Sequence, residues 1–160
     1  MRLISHRGNL LSGQTYPKEN TIQAIEEAIC LGYDVEIDVW REKDGWFLGH
    51  DLPLNRVSLL FLIKRCRRLW FHCKNKAAHD VLKWFGGFMH EDEPYAKVKT
   101  LFSEYKWNHS SNHDFHGNSV CVMPELCNLT TENYREASAV CSDDIVTIDY
   151  ELKKLKAARF

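Results

Sequence analysis

The sequence predicts an α/β fold built on a parallel sheet, open or closed, and three observations predict it. Strand-like and helix-like stretches alternate along the chain, the pattern of βαβ units. Polar residues collect at the ends of the strand-like stretches, at His6, Glu36 and Asp38, His50, Lys74, Glu125 and Asp149. In parallel α/β folds functional groups gather at the C-terminal ends of strands. The length, 160 residues, suits one domain spanning 1–160 with a real core.

Taken in order, Arg2 to Ser5 is a short apolar strand that ends on His6-Arg7-Gly8. Asn9 to Lys18 is loop, punctuated by Gly13 and Pro17. Asn20 or Thr21 caps a helix whose buried stripe is Ile22, Ile25 and Ile29, with Glu26 and Glu27 facing water and Gly32 as its stop. The next strand carries Glu36 and Asp38. After a turn at Pro53, Val57 to Ile63 reads as a buried helix with a cationic last turn. Leu69 to Cys73 is a strand ending on Lys74-Asn75, and Ala77 to Phe85 a helix stopped by Gly86-Gly87. Phe88 to His90 suits a short strand, Tyr95 to Trp107 fits no single class, and Asn108 to Asn118 is a polar loop. Ser119 to Met123 is a strand ended by Pro124-Glu125. A helix from Thr131 to about Val140, a last strand Ile145 to Tyr150 and a short basic helix complete the chain.

Bulk composition narrows the function. Hydrophobic residues make up 44% and charged residues 27%, as in soluble globular proteins. A formal net charge of -1 gives no global field that would recruit nucleic acid or an acidic membrane. No apolar run is long enough for a transmembrane helix, and MRLISHRGNL lacks a signal peptide's apolar core. Cys30, Cys66, Cys73, Cys121, Cys127 and Cys141 form no C-x-x-C pair, so free thiols and a cytoplasmic location are expected.

One stretch concentrates chemistry: DVEIDVWREKDGWFLGHD, Asp34 to Asp51. Val35, Ile37 and Val39 alternate with Asp34, Glu36, Asp38 and Trp40. Same-face residues two apart on a strand sit about 7 Å apart, so Glu36 and Asp38 can converge on one hard cation. A second apolar run, Trp46 to Leu48, delivers Gly49, His50 and Asp51. Gly49 removes bulk beside a histidine able to carry a proton near neutral pH. The plain alternative is an edge strand with a solvated acidic face followed by a hairpin.

His6-Arg7-Gly8, Glu19-Asn20-Thr21, Glu36-Ile37-Asp38 and His50-Asp51, in that order and spacing, resemble the glycerophosphodiester phosphodiesterase family. That family belongs with the phosphatidylinositol phospholipase C-like phosphodiesterases. The likeness is strong from Leu3 to Asp51, and Ile145 to Tyr150 looks like the family's last strand. It implies a (β/α)8 barrel of the TIM type, reduced or incomplete here. Such a barrel takes roughly 250 residues, so helices must be shortened or missing, and a partner chain in a homo-oligomer could complete it. It also implies metal-dependent hydrolysis of a small glycerophosphodiester-like substrate. Carried over, His6 and His50 become the general acid and base, and Arg7 and Lys74 the phosphate contacts. Glu19 and Asp51 become supporting groups, and Glu36 and Asp38 ligands of one divalent cation, Mg²⁺ first, with Ca²⁺ or Mn²⁺ as options.

The family has Glu-x-Lys where this chain has His72-Cys73-Lys74. His72 is therefore either a nitrogen ligand, favouring Mn²⁺ or Zn²⁺ over Ca²⁺, or a core histidine. Two further functions stay open: a catalytically weak phosphate-ester-binding module, and a lipid phosphodiester lyase or transferase that releases a cyclic phosphate. His90, His109, His113 and His116 match no zinc-ligand spacing and read as loop histidines. The roles of Glu125 and Asp149 are not separable from packing.

Overall fold

The structure is a computed structural model that describes residues 1–13, 18–89, 95–100, 103–109 and 115–158. Strand β1 (Arg2–His6) leads to helix α1 (Ile22–Cys30) and strand β2 (Asp34–Glu42). The Thr21 hydroxyl accepts a hydrogen bond from the Ala24 amide at 3.2 Å, so Thr21 is the cap and Asn20 is not. The buried stripe of α1 is Ala24, Ile25 and Ala28, whereas Ile22 is 44% exposed, unlike the expected isoleucine stripe. The cause is the turn after β1: a Cβ on Gly8 would lie 2.7 Å from Ala24 Cβ, so small residues must face it.

Strands β3 (Gly45–Leu48) and β4 (Asn55–Val57) follow, then helix α2 (Leu59–Lys64), strand β5 (Leu69–Cys73) and helix α3 (Lys76–Leu82). Helix α2 is not buried throughout as expected: Leu62 is inside and Leu60 outside. After Phe88, joined to His72 by a single parallel bridge, come β6 (Tyr95–Lys99) and β7 (Glu104–His109). Thus Asn108 and His109 end a strand rather than start a loop. Strands β8 (Ser119–Val122) and β9 (Ala139–Ser142) and helix α4 (Ile145–Ala157) complete the described order.

The sheet overturns the reduced (β/α)8 barrel. Nine strands form one mixed sheet, curled into a half-barrel, with four helices among the described residues. Strands β5, β2, β1, β9, β8 and β7 run parallel. The hairpins β2–β3–β4 and β6–β7 are antiparallel. Antiparallel neighbours need only a tight turn, whereas each parallel crossover needs a dozen or more residues. In a short chain, hairpins replace βα units.

Two late elements also differ from expectation. Ile145 to Tyr150 opens α4 instead of forming a strand. Its β-branched residues suggest extension, but Ile145 and Ile148 are both buried, three apart, as one helix face requires. Thr131 to Ser138 forms turns, and β9 takes the place of the expected helix end. Its four buried residues lie between β1 and β8, which demand an extended neighbour.

Strand alternation sets the site. Val35, Ile37 and Val39 pack outward with Ile25, Ala28, Ala78 and Leu82. The inner face holds Ile4, Trp70, Phe88, Tyr105, Trp107 and Cys141 in a second cluster. Trp70 meets Tyr105 at 5.1 Å between ring centroids, and Phe88 meets Trp107 at 5.2 Å. This aromatic floor fills the curl. Two residues further along their strands from Ile4 and Trp70, on the same face, come His6 and His72, and the turn after β9 brings Asp143 to His6.

Candidate active site

The turn after β1 brings the first motif to the second. Arg7 has a left-handed backbone, φ 54°, strained for a non-glycine residue and typical of functional turns. Its amide donates to the Glu36 carbonyl at 2.9 Å, and its carbonyl accepts from the Asn20 amide at 2.8 Å. Its Nε lies 3.0 Å from Asp38 Oδ2, while NH1 donates to Glu19 Oε1 at 3.2 Å. Asn20 donates from Nδ2 to Asp38 Oδ2 at 3.0 Å and accepts at Oδ1 from the Asp38 amide, also at 3.0 Å.

Strands β2 and β5 supply the centre. Glu36, Asp38 and His72 each offer one ligand atom, and the three atoms lie within 4.8 Å of one another. This is the one such His/Cys/Asp/Glu group among the described residues. His72 Nδ1 is 2.9 Å from Asp38 Oδ1 and 3.7 Å from Glu36 Oε1. The His72 ring is stacked on Phe88, with centroids 5.3 Å apart. Lys74 Nζ stands 3.6 Å from Asp38 Oδ1. Glu36 Oε2 is buried and accepts no hydrogen bond from any described residue, although His6 Nε2 is 3.8 Å away.

Burial raises the Glu36 carboxyl to about 8, with the Asp38 charge adding to the rise and His6 and Arg7 opposing it. Burial also opposes ionisation of Asp38, but His72, Arg7 and Asn20 together hold it well below the usual carboxylate range. The metal-free cluster therefore carries about one negative charge where two carboxylates are available. A divalent cation would take the place of the proton that burial holds on Glu36 and would meet its unpartnered oxygen, so these residues fit one.

His6 has a partner that the sequence did not announce. Its Nδ1 lies 2.8 Å from Asp143 Oδ1, and Asn9 Nδ2 donates to the same oxygen at 2.8 Å. Burial lowers the His6 pKa, but the Asp143 hydrogen bond and the Glu36 charge outweigh it and raise the net value. Glu125 braces the loop behind: its Oε1 accepts from the Ser142 hydroxyl and the Asp143 amide, both at 2.9 Å. Glu125 is thus a support. Asp149 sits on α4, where it accepts from Tyr33 and Lys153, and takes no part in the cluster.

His6, Arg7, Glu19, Glu36, Asp38, His72 and Lys74 thus belong to one network. His50 and Asp51 stand at its rim through the Gly49 backbone: among the described residues neither makes an ion pair or side-chain hydrogen bond with the network. Because β3 returns antiparallel along β2, the Gly49 amide donates to the Asp38 carbonyl at 3.2 Å. The His50 ring is 41% exposed and pairs through Nδ1 with Asp51 at 2.7 Å. Gly49 is needed for the turn rather than for room beside His50: a Cβ there would lie 2.1 Å from the Leu52 carbonyl oxygen. Of the loop histidines, His116 pairs with Glu136 at 2.7 Å and His109 ends β7 exposed. His90 and His113 lie outside the described residues.

Sequence reasoning missed Asn20 and Asp143 as site residues. Asn20 had a signal in Glu19-Asn20-Thr21 but was read as a possible helix cap; Asp143 had only a polar pair after a short apolar run. Comparison with known proteins adds nothing to this geometry: no family model, no curated protein and no solved structure matches the chain.

Proposed function

We propose that the chain is a divalent-cation-dependent phosphodiesterase acting on small glycerophosphodiester-like substrates. The observation that carries this reading is the buried, unpartnered Glu36 Oε2 in a group of two carboxylates and an imidazole beside His6. Glu36, Asp38 and His72 would hold the ion. Carboxylates alone suit Mg²⁺ or Ca²⁺, and the imidazole moves the preference toward Mn²⁺. When bound, the cation supplies positive charge beside the phosphoryl oxygens.

The side chains do the remaining work. Arg7 and Lys74 bring two further cations to an anionic phosphodiester that would otherwise repel its nucleophile. Glu19 steadies the Arg7 guanidinium. The Asp143 carboxylate accepts Nδ1–H of neutral His6, which leaves Nε2 as the basic nitrogen on the Glu36 side. Nε2 takes the proton of the attacking hydroxyl as its oxygen bonds to phosphorus. The bond from phosphorus to the leaving oxygen breaks, and His50, steadied by Asp51, returns a proton to that alkoxide. Water as nucleophile gives hydrolysis; a neighbouring substrate hydroxyl gives a cyclic phosphate.

The test is turnover of glycerophosphocholine with Mg²⁺, Mn²⁺ or Ca²⁺, with and without chelator, the products followed by phosphorus NMR. Cation-dependent release of choline or glycerol supports the reading; no turnover of any phosphodiester under any of these ions sinks it. A cyclic species in the spectra selects the lyase or transferase form. A second reading, a phosphate-ester-binding module, is favoured by the exposed rim position of His50. Phosphate-ester binding without turnover, unchanged in His6→Ala and His50→Ala, selects it. The six free thiols fit a reducing compartment such as the cytoplasm, and no described helix is long and apolar enough to cross a membrane.

A further inference from the structure

We infer that Asn20 is the positioning residue that fixes which oxygen of Asp38 is offered to a cation. The inference rests on the cation-binding reading above and extends it to a residue that touches neither ion nor substrate. The Asn20 carboxamide is oriented without ambiguity. The Asp38 amide can only donate, so the atom it meets at 3.0 Å is Oδ1. An ionised Asp38 carboxylate can only accept, so the atom facing its Oδ2 at 3.0 Å is Nδ2. One side chain thus grips both the backbone and the carboxylate of the same residue.

The grip has a chemical result. Oδ2 of Asp38 is taken by Asn20 Nδ2 and by the Arg7 guanidinium, 3.0 Å away. Oδ1 is turned the other way, toward His72 at 2.9 Å and Lys74 at 3.6 Å. Asp38 therefore presents a single oxygen to the space it shares with Glu36 and His72. Carboxylate ligands are commonly held this way by outer-shell hydrogen bonds, whose loss typically costs about 10–100-fold in metal affinity.

Asn20 also ties the cluster to its rim. Its carbonyl accepts from Asn55 Nδ2 at 3.0 Å, on the strand that follows the His50 loop, and its amide donates to the Arg7 carbonyl. It is 1% exposed with φ 54°, a left-handed backbone that asparagine tolerates better than most residues. Capping α1 falls to Thr21, so helix initiation does not explain a buried asparagine here.

The experiment compares Mn²⁺ binding by calorimetry in wild type, Asn20→Gly and Thr21→Ala. Glycine suits the left-handed backbone and keeps both main-chain hydrogen bonds, so only the carboxamide is lost. Thr21→Ala weakens the same helix start without touching Asp38. The expected result is Mn²⁺ affinity lowered about 10–100-fold in Asn20→Gly and unchanged within about 3-fold in Thr21→Ala. Equal affinities in all three proteins overturn the inference and leave the cation site standing, as does an equal loss in both variants, which makes Asn20 a merely structural residue. A wild type that binds no Mn²⁺ overturns the cation site itself, and the role of Asn20 falls with it.

Discussion

Asp34 and Glu36 are two residues apart on one face of β2, both buried, yet they have opposite surroundings. Asp34 has partners on both oxygens: Arg2 NH2 lies 2.6 Å from one carboxylate oxygen, Arg68 Nε 3.2 Å from the other, and the Trp70 indole donates at 3.3 Å, although burial still raises its carboxyl above the usual range. Glu36, one layer up, keeps an oxygen with no described donor, and the imidazoles of His6 and His72 stay 3.8 and 3.7 Å from its two oxygens. A buried acid by itself says little about function. A buried acid left without donors costs stability that a bound ligand can offset. The lower layer of the strand is an internal ion cluster, and the upper layer is the candidate site.

The sharpest way to break this contrast is to neutralise each acid in turn. Glu36→Gln should lower cation-dependent turnover by at least about 10²-fold, as removal of a metal ligand or its support does. Asp34→Asn should leave kcat within a few-fold, while the protein loses about 1–3 kcal/mol because two arginines lose a charged partner. Steady-state kinetics and denaturant melts of both variants check this. Equal losses of turnover would erase the distinction between the layers. Next in size is Asp143→Asn. An amide facing His6 Nδ1 can donate, which favours the wrong tautomer, and kcat should fall about 10²-fold or more with KM little changed. Unchanged kcat would remove Asp143 from the proton-transfer chain.

A smaller effect appears in the metal-free protein as pH changes. Glu36 is raised from 4.5 to about 8 on folding, so between those values the folded state binds more protons than the unfolded one. The Glu36 contribution to stability is therefore full below about pH 4.5 and is lost as pH rises toward 8, by about 2–5 kcal/mol. His6, also raised, adds to the same slope. Thermal melts in chelator from pH 5 to pH 8 should show the decline, flattened in Glu36→Gln and flattened by saturating Mn²⁺. A midpoint that rises over this range would contradict the unpartnered state of Glu36.

The same contrast explains what could be read from the chain. From His6 to Asp51 each motif is local: a strand end, a helix start, a strand with period two and a hairpin, so residue types and spacing expose the site directly. His72 and Lys74 followed from one more strand end. Asp143 comes from the far end of the chain, 137 positions from His6, and reaches it only because β9 pairs with β1. Nothing local marks that pairing. β9 is too short to show a period, and the helix after it begins with Ile145, Val146, Thr147 and Ile148, which imitate a strand. The half-barrel was hidden for a related reason. Whether two apolar runs join through a hairpin or a crossover depends on neighbours in space: β6–β7 shows local alternation, with Val98, Tyr105 and Trp107 buried and Lys97, Glu104 and Lys106 exposed, but that alternation does not say which strand lies beside it.

Anomalous diffraction from a crystal soaked in Mn²⁺ tests the cluster most directly. The expected result is one strong peak enclosed by the carboxylates of Glu36 and Asp38 and the ring of His72, with Asp38 bound through Oδ1 alone. A saturated crystal with no peak there, or with manganese held only by surface acids, would contradict the cation site.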